Sequence, residues 1–325
     1  MTELDARIAP NWTSAAGALE GILAHLGAPL PRHAIMGLTG HAWHLCLGSK
    51  EGVVALPSGP TDLDWESACA RYARTGFLWE RFGGDLNPGD YWTDLREAAA
   101  AWASEHLATG RPLIGWDFHL HEHAVIYGYD GQRRGFLVDD VLTGEAGPFV
   151  ALDDWPSVAL GRIELLAPVE AVESDPIESV AGALETAILC IEGGDGLADA
   201  QPRGAAALDA WADALDGETE VDRAGNAYTL AVLQTARLDG AAFLEDIAAG
   251  IPELAATLGR VAEAVRAETT ALSPLITLVP FPSGGHGNIT NAGLRRAAAM
   301  ALRRAAKHER DAAEAMREAL RLLEA

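Results

Sequence analysis

The chain has 325 residues, 49% of them hydrophobic and 22% charged, and its 24 basic against 47 acidic side chains give a net charge of −23. That length accommodates one large or two ordinary domains with real cores, and the composition excludes wholesale disorder. So negative a chain repels phosphate backbones and anionic lipid, which argues against nucleic-acid and membrane-surface roles.

The first residues, "MTELDARIAPNWTS", have neither a basic start nor an apolar run, and no later stretch is long enough to span a bilayer. The three cysteines, Cys46, Cys69 and Cys190, are odd in number and far apart. They form no disulfide framework and no CxxC clip, so the expected compartment is the reducing cytoplasm.

"TSAAGALEGILAHLG" reads as a helix. Thr13 or Ser14 can cap it, Leu19, Ile22, Leu23 and Leu26 form one stripe, and Gly27 can end it. The runs "HAIMGLTG", "AWHLCLG" and "GVVALP" read as strands broken by glycine, whereas "DLDWESACARYARTG" and "WTDLREAAAAWASEHLATG" read as helices. From Arg111, the apolar runs "RPLIGWDF", "HAVIYGYD", "RGFLVDD" and "RIELLAP" are separated by turn sequences and predict an antiparallel meander. Beyond Pro176 strand signals almost vanish. Leu230, Leu233, Ala241, Leu244 and Ile247 can share one helix face, and Leu294, Ala298, Ala305, Met316, Leu320 and Leu323 another, which predicts a helical bundle. A boundary is therefore expected near residues 168 to 176. The final helix holds eight of the 24 basic residues against five acids, as expected of a solvated face or of one that meets an acidic neighbour.

"GWDFHLHEHAVIYGYDGQRRGFLVDD" concentrates the candidate chemistry. As one strand it would point His119, His121 and His123 to one face, a nitrogen-rich set that zinc accepts. Alternate residues on a strand lie roughly 6.5–7 Å apart, however, so a third histidine joins a common ion only if the strand bends. His123 opens an apolar strand and needs a hydrogen-bond partner if buried. The hairpin-sized "YDGQRRG" should pair "FLVDD" with "HAVIYGYD" and bring Asp139 or Asp140 to the His123 end. A carboxylate that fixes an imidazole tautomer is half of a nucleophile–His–Asp relay, and a structural His–Asp pair would look the same.

Pro112, His123, Val125, Gly128, Tyr129, Asp130 and Asp140 fall in an order that resembles the His-strand and Asp-strand of papain-like cysteine peptidases of the double-glycine type. Val141 stands where that family usually has proline. "NWTSAAGALEGILAHLGAPLPRHAIMGLTGHAW" is similar to the opening helix and "GLxG" segment of the butirosin biosynthesis protein H family. That family joins a papain-like domain to a helical region and is associated with acyl transfer from a carrier protein. The resemblance spans residues 8 to 168 and extends only loosely into the helical half. It implies an α+β fold, with a papain-like domain containing an antiparallel sheet over 1–170 and an all-α bundle over 171–325.

The family's cysteine belongs at the start of the first long helix, where Asn11, Trp12, Thr13 and Ser14 stand instead. Three readings follow. In the first, the protein handles an acyl, amide or peptidyl group in small-molecule or natural-product metabolism as an acyltransferase or hydrolase. Thr13 or Ser14 then attacks, His123 acts as base, and Asp140 or Asp139 orients it. In the second, the same cleft binds a ligand or a carrier protein without chemistry. In the third, His119, His121 and His123 hold a hydrolytic metal. Asn11, Trp12, His41, His44 and His286 are candidate substrate contacts, the last on the glycine-rich loop "PFPSGGHGNITNAG". No cofactor is expected. The expected partner is a small-molecule or acyl/peptidyl substrate, free or carrier-bound.

Overall fold

A computed structural model of the chain describes residues 2–50, 53–56, 64–85, 92–141, 148–156, 162–194, 201–217, 219–284 and 289–324. In chain order the elements of the first half are β1 (Thr2–Glu3), α1 (Ser14–His25), α2 (Arg32–Thr39), β2 (Gly48–Lys50), β3 (Val53–Leu56), α3 (Trp65–Tyr72), β4 (Phe77–Asp85) and α4 (Trp92–Ala108). There follow β5 (Leu113–Trp116), β6 (His123–Asp130), β7 (Gly135–Asp139), β8 (Phe149–Ala151) and β9 (Arg162–Ala171). The helices α5 (Pro176–Ile191), α6 (Gly204–Asp216), α7 (Arg223–Gly250), α8 (Ala255–Leu278) and α9 (Ala292–Leu323) complete the chain. The class is α+β, and no helix among the described residues is long and apolar enough to cross a membrane.

Two compact units result, Met1–Ile35 with Trp65–Ser174, and Met36–Asp64 with Asp175–Ala325. The segment Met36–Asp64, which the sequence places in the N-terminal domain, thus belongs to the helical unit. "HAIMGLTG" falls within and just after α2 and is not a strand. Its Gly37 lies under the Phe243 ring, where a Cβ would come within 2.2 Å of the ring carbons. Close packing therefore outweighs glycine's poor helix propensity here.

In the first unit an antiparallel sheet has the order β4-β9-β5-β6-β7-β8, with β1 added to β6. The strand β6 is almost wholly buried along its length, so its sequence is a continuous apolar run and not a clean alternation. Ala124 and Ile126 join the core formed by Phe118, Phe136 and Trp155 beneath α4, and Phe118 stacks on Trp155 at 4.5 Å. By the two-residue period of a strand, His123 and Val125 face the other way. Helix α1 also packs on β6, and Ser14 at its start bonds to the His123 backbone. Gly17 and Gly21 let the preceding extended segment lie directly on α1, because a Cβ there would meet the Ala9 carbonyl oxygen at 2.3 Å and that of Arg7 at 1.7 Å.

The second unit buries the stripes expected from its sequence. Leu208, Trp211, Leu230, Leu233, Leu272 and Leu302 share one core with Leu45 and Leu47, and each large aliphatic side chain so buried contributes about 1.5–3 kcal/mol. The basic face of α9 meets acidic neighbours on α6 and at the end of α5: Arg303 reaches Asp213 and Asp216, Arg310 reaches Asp209, and Arg317 reaches Glu192.

Candidate functional site

The residues before α1 and the loop before β6 come together in the first unit. Thr13 is the N-cap of α1, but its side chain makes no capping hydrogen bond. Its backbone N–H instead donates to Asn11 Oδ1 at 2.9 Å. Ser14 is the first helical residue. Its hydroxyl donates to Glu122 Oε2 at 2.5 Å and accepts the His123 backbone N–H at 3.1 Å. Both roles of that hydroxyl are therefore taken by structure, and its proton points to a carboxylate. Trp12 is 39% exposed at the same helix start.

His123 is 1% exposed and lies between two tryptophans, with ring centroids 4.5 Å from Trp65 and 4.8 Å from Trp116. Among the described residues neither of its ring nitrogens has a hydrogen-bond partner. Burial, reinforced by the positive Arg162, pushes its pKa down to about 3, so the imidazole is neutral at physiological pH. Asn11 Nδ2 and Thr13 Oγ1 are likewise buried without a hydrogen-bond partner. Such groups are uncommon in folded proteins, and each calls for a partner such as a water, an ion or a ligand, or for a catalytic role. Here a neutral imidazole, an amide N–H and a hydroxyl offer two donors, one acceptor and one group of either kind.

The two aspartates do not orient His123. β7 pairs antiparallel with β6, with Asp139 opposite Val125, but the Asp139 carboxylate accepts the Ile8 backbone N–H at 2.8 Å. Asp140 Oδ2 lies 2.9 Å from Nδ1 of His119. The imidazole that Asp140 holds is thus His119 and not His123, an exchange that the sequence pattern does not single out. Its position is legible only once the chain is seen to bend: residues 117–122 form a closed loop, with Asp117 N–H donating to the Glu122 carbonyl at 3.2 Å. The strand begins at His123.

That bend also separates the three histidines. His119 bonds to Asp140, His121 Nδ1 to Asp117 Oδ1 at 2.5 Å, and His123 lies between its tryptophans. Among the described residues no three His, Cys, Asp or Glu side chains gather as a metal site requires, so the bend that a three-histidine set needs takes His119 and His121 to separate aspartates instead.

His41 and His44 are buried and belong to the second unit, and His286 lies outside the described residues. All three cysteines are buried. Burial first, and the nearby Glu164 second, push the Cys69 thiol up to about 11, far from the thiolate that a nucleophile needs. No family model matches the chain, and no curated protein matches it significantly.

Proposed function

We propose that the first unit is a papain-like domain that has lost covalent catalysis and binds an acyl, amide or peptidyl group at the start of α1, in small-molecule metabolism. The observation that carries this reading is the set of buried polar groups on Asn11, Thr13 and His123 that have no hydrogen-bond partner among the described residues. A carbonyl oxygen accepts from Asn11 Nδ2 and from the imidazole N–H, and an amide N–H on the ligand donates to Thr13. The reading disfavours Thr13 or Ser14 as a nucleophile on two counts. The Ser14 proton is directed to Glu122 and not to His123, and the same oxygen is already taken up as the acceptor of the His123 backbone N–H. His123, with no carboxylate behind it and a conjugate acid of pKa about 3, is too weak a base to activate a hydroxyl.

The test is to incubate the full chain with butyryl and glycyl thioesters of N-acetylcysteamine and to record the intact mass. The expected spectrum contains unmodified protein throughout. An acyl adduct that maps to Thr13 or Ser14, and that disappears in T13V or S14A, would establish the covalent reading instead.

A further inference from the structure

The loop Asp117–Glu122 carries two His–Asp pairs that the binding role does not use. In each, a carboxylate buried to within a few per cent holds Nδ1 of a histidine whose ring stands well out of the protein. The side-chain exposures are 2% for Asp140 against 47% for His119, and 3% for Asp117 against 62% for His121. A carboxylate at Nδ1 fixes the proton there and leaves Nε2 as the acceptor. The backbone is held in an unusual state at the same place, with Asp117 at φ 60°, and such conformations cluster at functional sites.

The two pairs differ in how they are supported. His121 and Asp117 are four residues apart in one loop. His119 is held by Asp140, 21 residues away and next to the last residue of β7, so this pair ties the loop to the sheet. The loop and strand end are also tied to the start of α1. Ser14 bonds to Glu122 of the loop, and Ile8, in the segment leading to α1, bonds to Asp139 beside Asp140.

We infer that His119, oriented by Asp140, is the acid–base group for hydrolysis of a thioester- or ester-linked acyl group held at the start of α1, with water as the nucleophile. This inference rests on the acyl-binding reading above. Water oxygen bonds to the acyl carbon as His119 Nε2 takes one of its protons. The bond from the acyl carbon to sulfur or oxygen then breaks, and the imidazolium returns the proton to the departing thiolate or alkoxide. The products are the carboxylic acid and the free thiol or alcohol, with no other reactant. General acid–base catalysis contributes about 10²–10⁴-fold. That suffices for an activated acyl group, and an amide without a covalent nucleophile requires more. Asp140 is a positioning residue in this scheme.

Thiol release from the same N-acetylcysteamine thioesters, followed with the full chain, tests the inference. H119A is expected to lower kcat by about a hundredfold with KM retained, and added imidazole to restore the rate above the imidazole-only background. D140N should fall by about tenfold or more, and H121A should stay within about twofold of wild type. The inference is overturned if wild type is no faster than free imidazole at the same histidine concentration, or if H119A keeps its kcat. It is equally overturned if imidazole fails to rescue H119A or if D140N matches wild type. T13V separates the two claims: an unchanged KM in T13V, with kcat still dependent on His119, counts against the binding reading alone.

Discussion

The helical unit encloses three ionisable side chains in one contact: Arg237 on α7, Glu268 on α8 and Glu309 on α9, exposed by 0%, 0% and 1%. The Arg237 guanidinium donates to Glu309 Oε1 from two nitrogens and to the Ala42 carbonyl at 2.5 Å, and Glu268 Oε1 lies 3.3 Å from its Nε. One cation among two carboxylates leaves a surplus negative charge in a dry interior, which is far more costly than a bound proton. Burial, and then repulsion from Glu309, raise the Glu268 carboxyl well above its usual range. Folding therefore takes up a proton. A raised folded-state pKa contributes stability that is fully present below the unfolded pKa and is lost as pH rises through the folded pKa. The side-chain amide introduced by E268Q keeps the shape of the protonated acid and has nothing to titrate. Over every pH unit in which folded Glu268 keeps its proton while the unfolded carboxyl has lost its own, wild type should lose about 1.4 kcal/mol relative to E268Q. Urea unfolding followed by helical circular dichroism, from pH 5 to 9, gives that difference free of the contributions both proteins share. Parallel stability–pH curves for the two proteins would refute the reasoning.

Three other variants probe neighbouring parts of the account. R237M removes the cation from the same cluster and leaves Glu309 buried without it; urea unfolding should show a loss of about 3–5 kcal/mol. Because the His123 pKa is depressed, to about 3, its contribution to stability is present above its unfolded pKa and is lost as pH falls through about 6.5 toward 3. H123Q should be the less acid-sensitive protein in that window, and equal acid midpoints would contradict the burial argument. S14A leaves the His123 backbone N–H without its 3.1 Å acceptor and should cost about 1–3 kcal/mol by thermal or urea unfolding, the penalty of an unsatisfied buried donor.

Much of the first unit was legible because its signals are local. The β5, β6, β7 and β9 runs are apolar and bounded by turns, and the antiparallel pairing of "FLVDD" with "HAVIYGYD" follows from a short connection. Strand β4 was not legible. "FLWERFGGD" mixes charges with a glycine pair, and it is a strand because all nine residues pair with β9 from Phe77 opposite Ala171 to Asp85 opposite Arg162. Periodicity failed at the histidines for a related reason. The regular spacing of 119, 121 and 123 implies one strand face, whereas the loop closed between Asp117 and Glu122 turns the first two out of the sheet. The exchange of partners, in which Asp140 holds His119 and not His123, depends on that bend and has no local signature. Nor has the Arg237–Glu268–Glu309 cluster, whose members lie on three alanine-rich helices and meet only after the bundle closes.

The central claim, an acyl group held without covalent attachment by Asn11, Thr13 and His123, is tested most directly at the His123 ring itself. Full chain labelled with ¹⁵N-histidine would be titrated with N-ethylbutyramide, an uncleavable acyl amide, and the His123 side-chain nitrogens followed by NMR. Saturable shifts of both nitrogens are expected, with the Kd raised about tenfold or more in T13V by loss of one buried hydrogen bond. His123 nitrogens that stay unchanged while the ligand saturates elsewhere, or a T13V titration that overlays wild type, would contradict it.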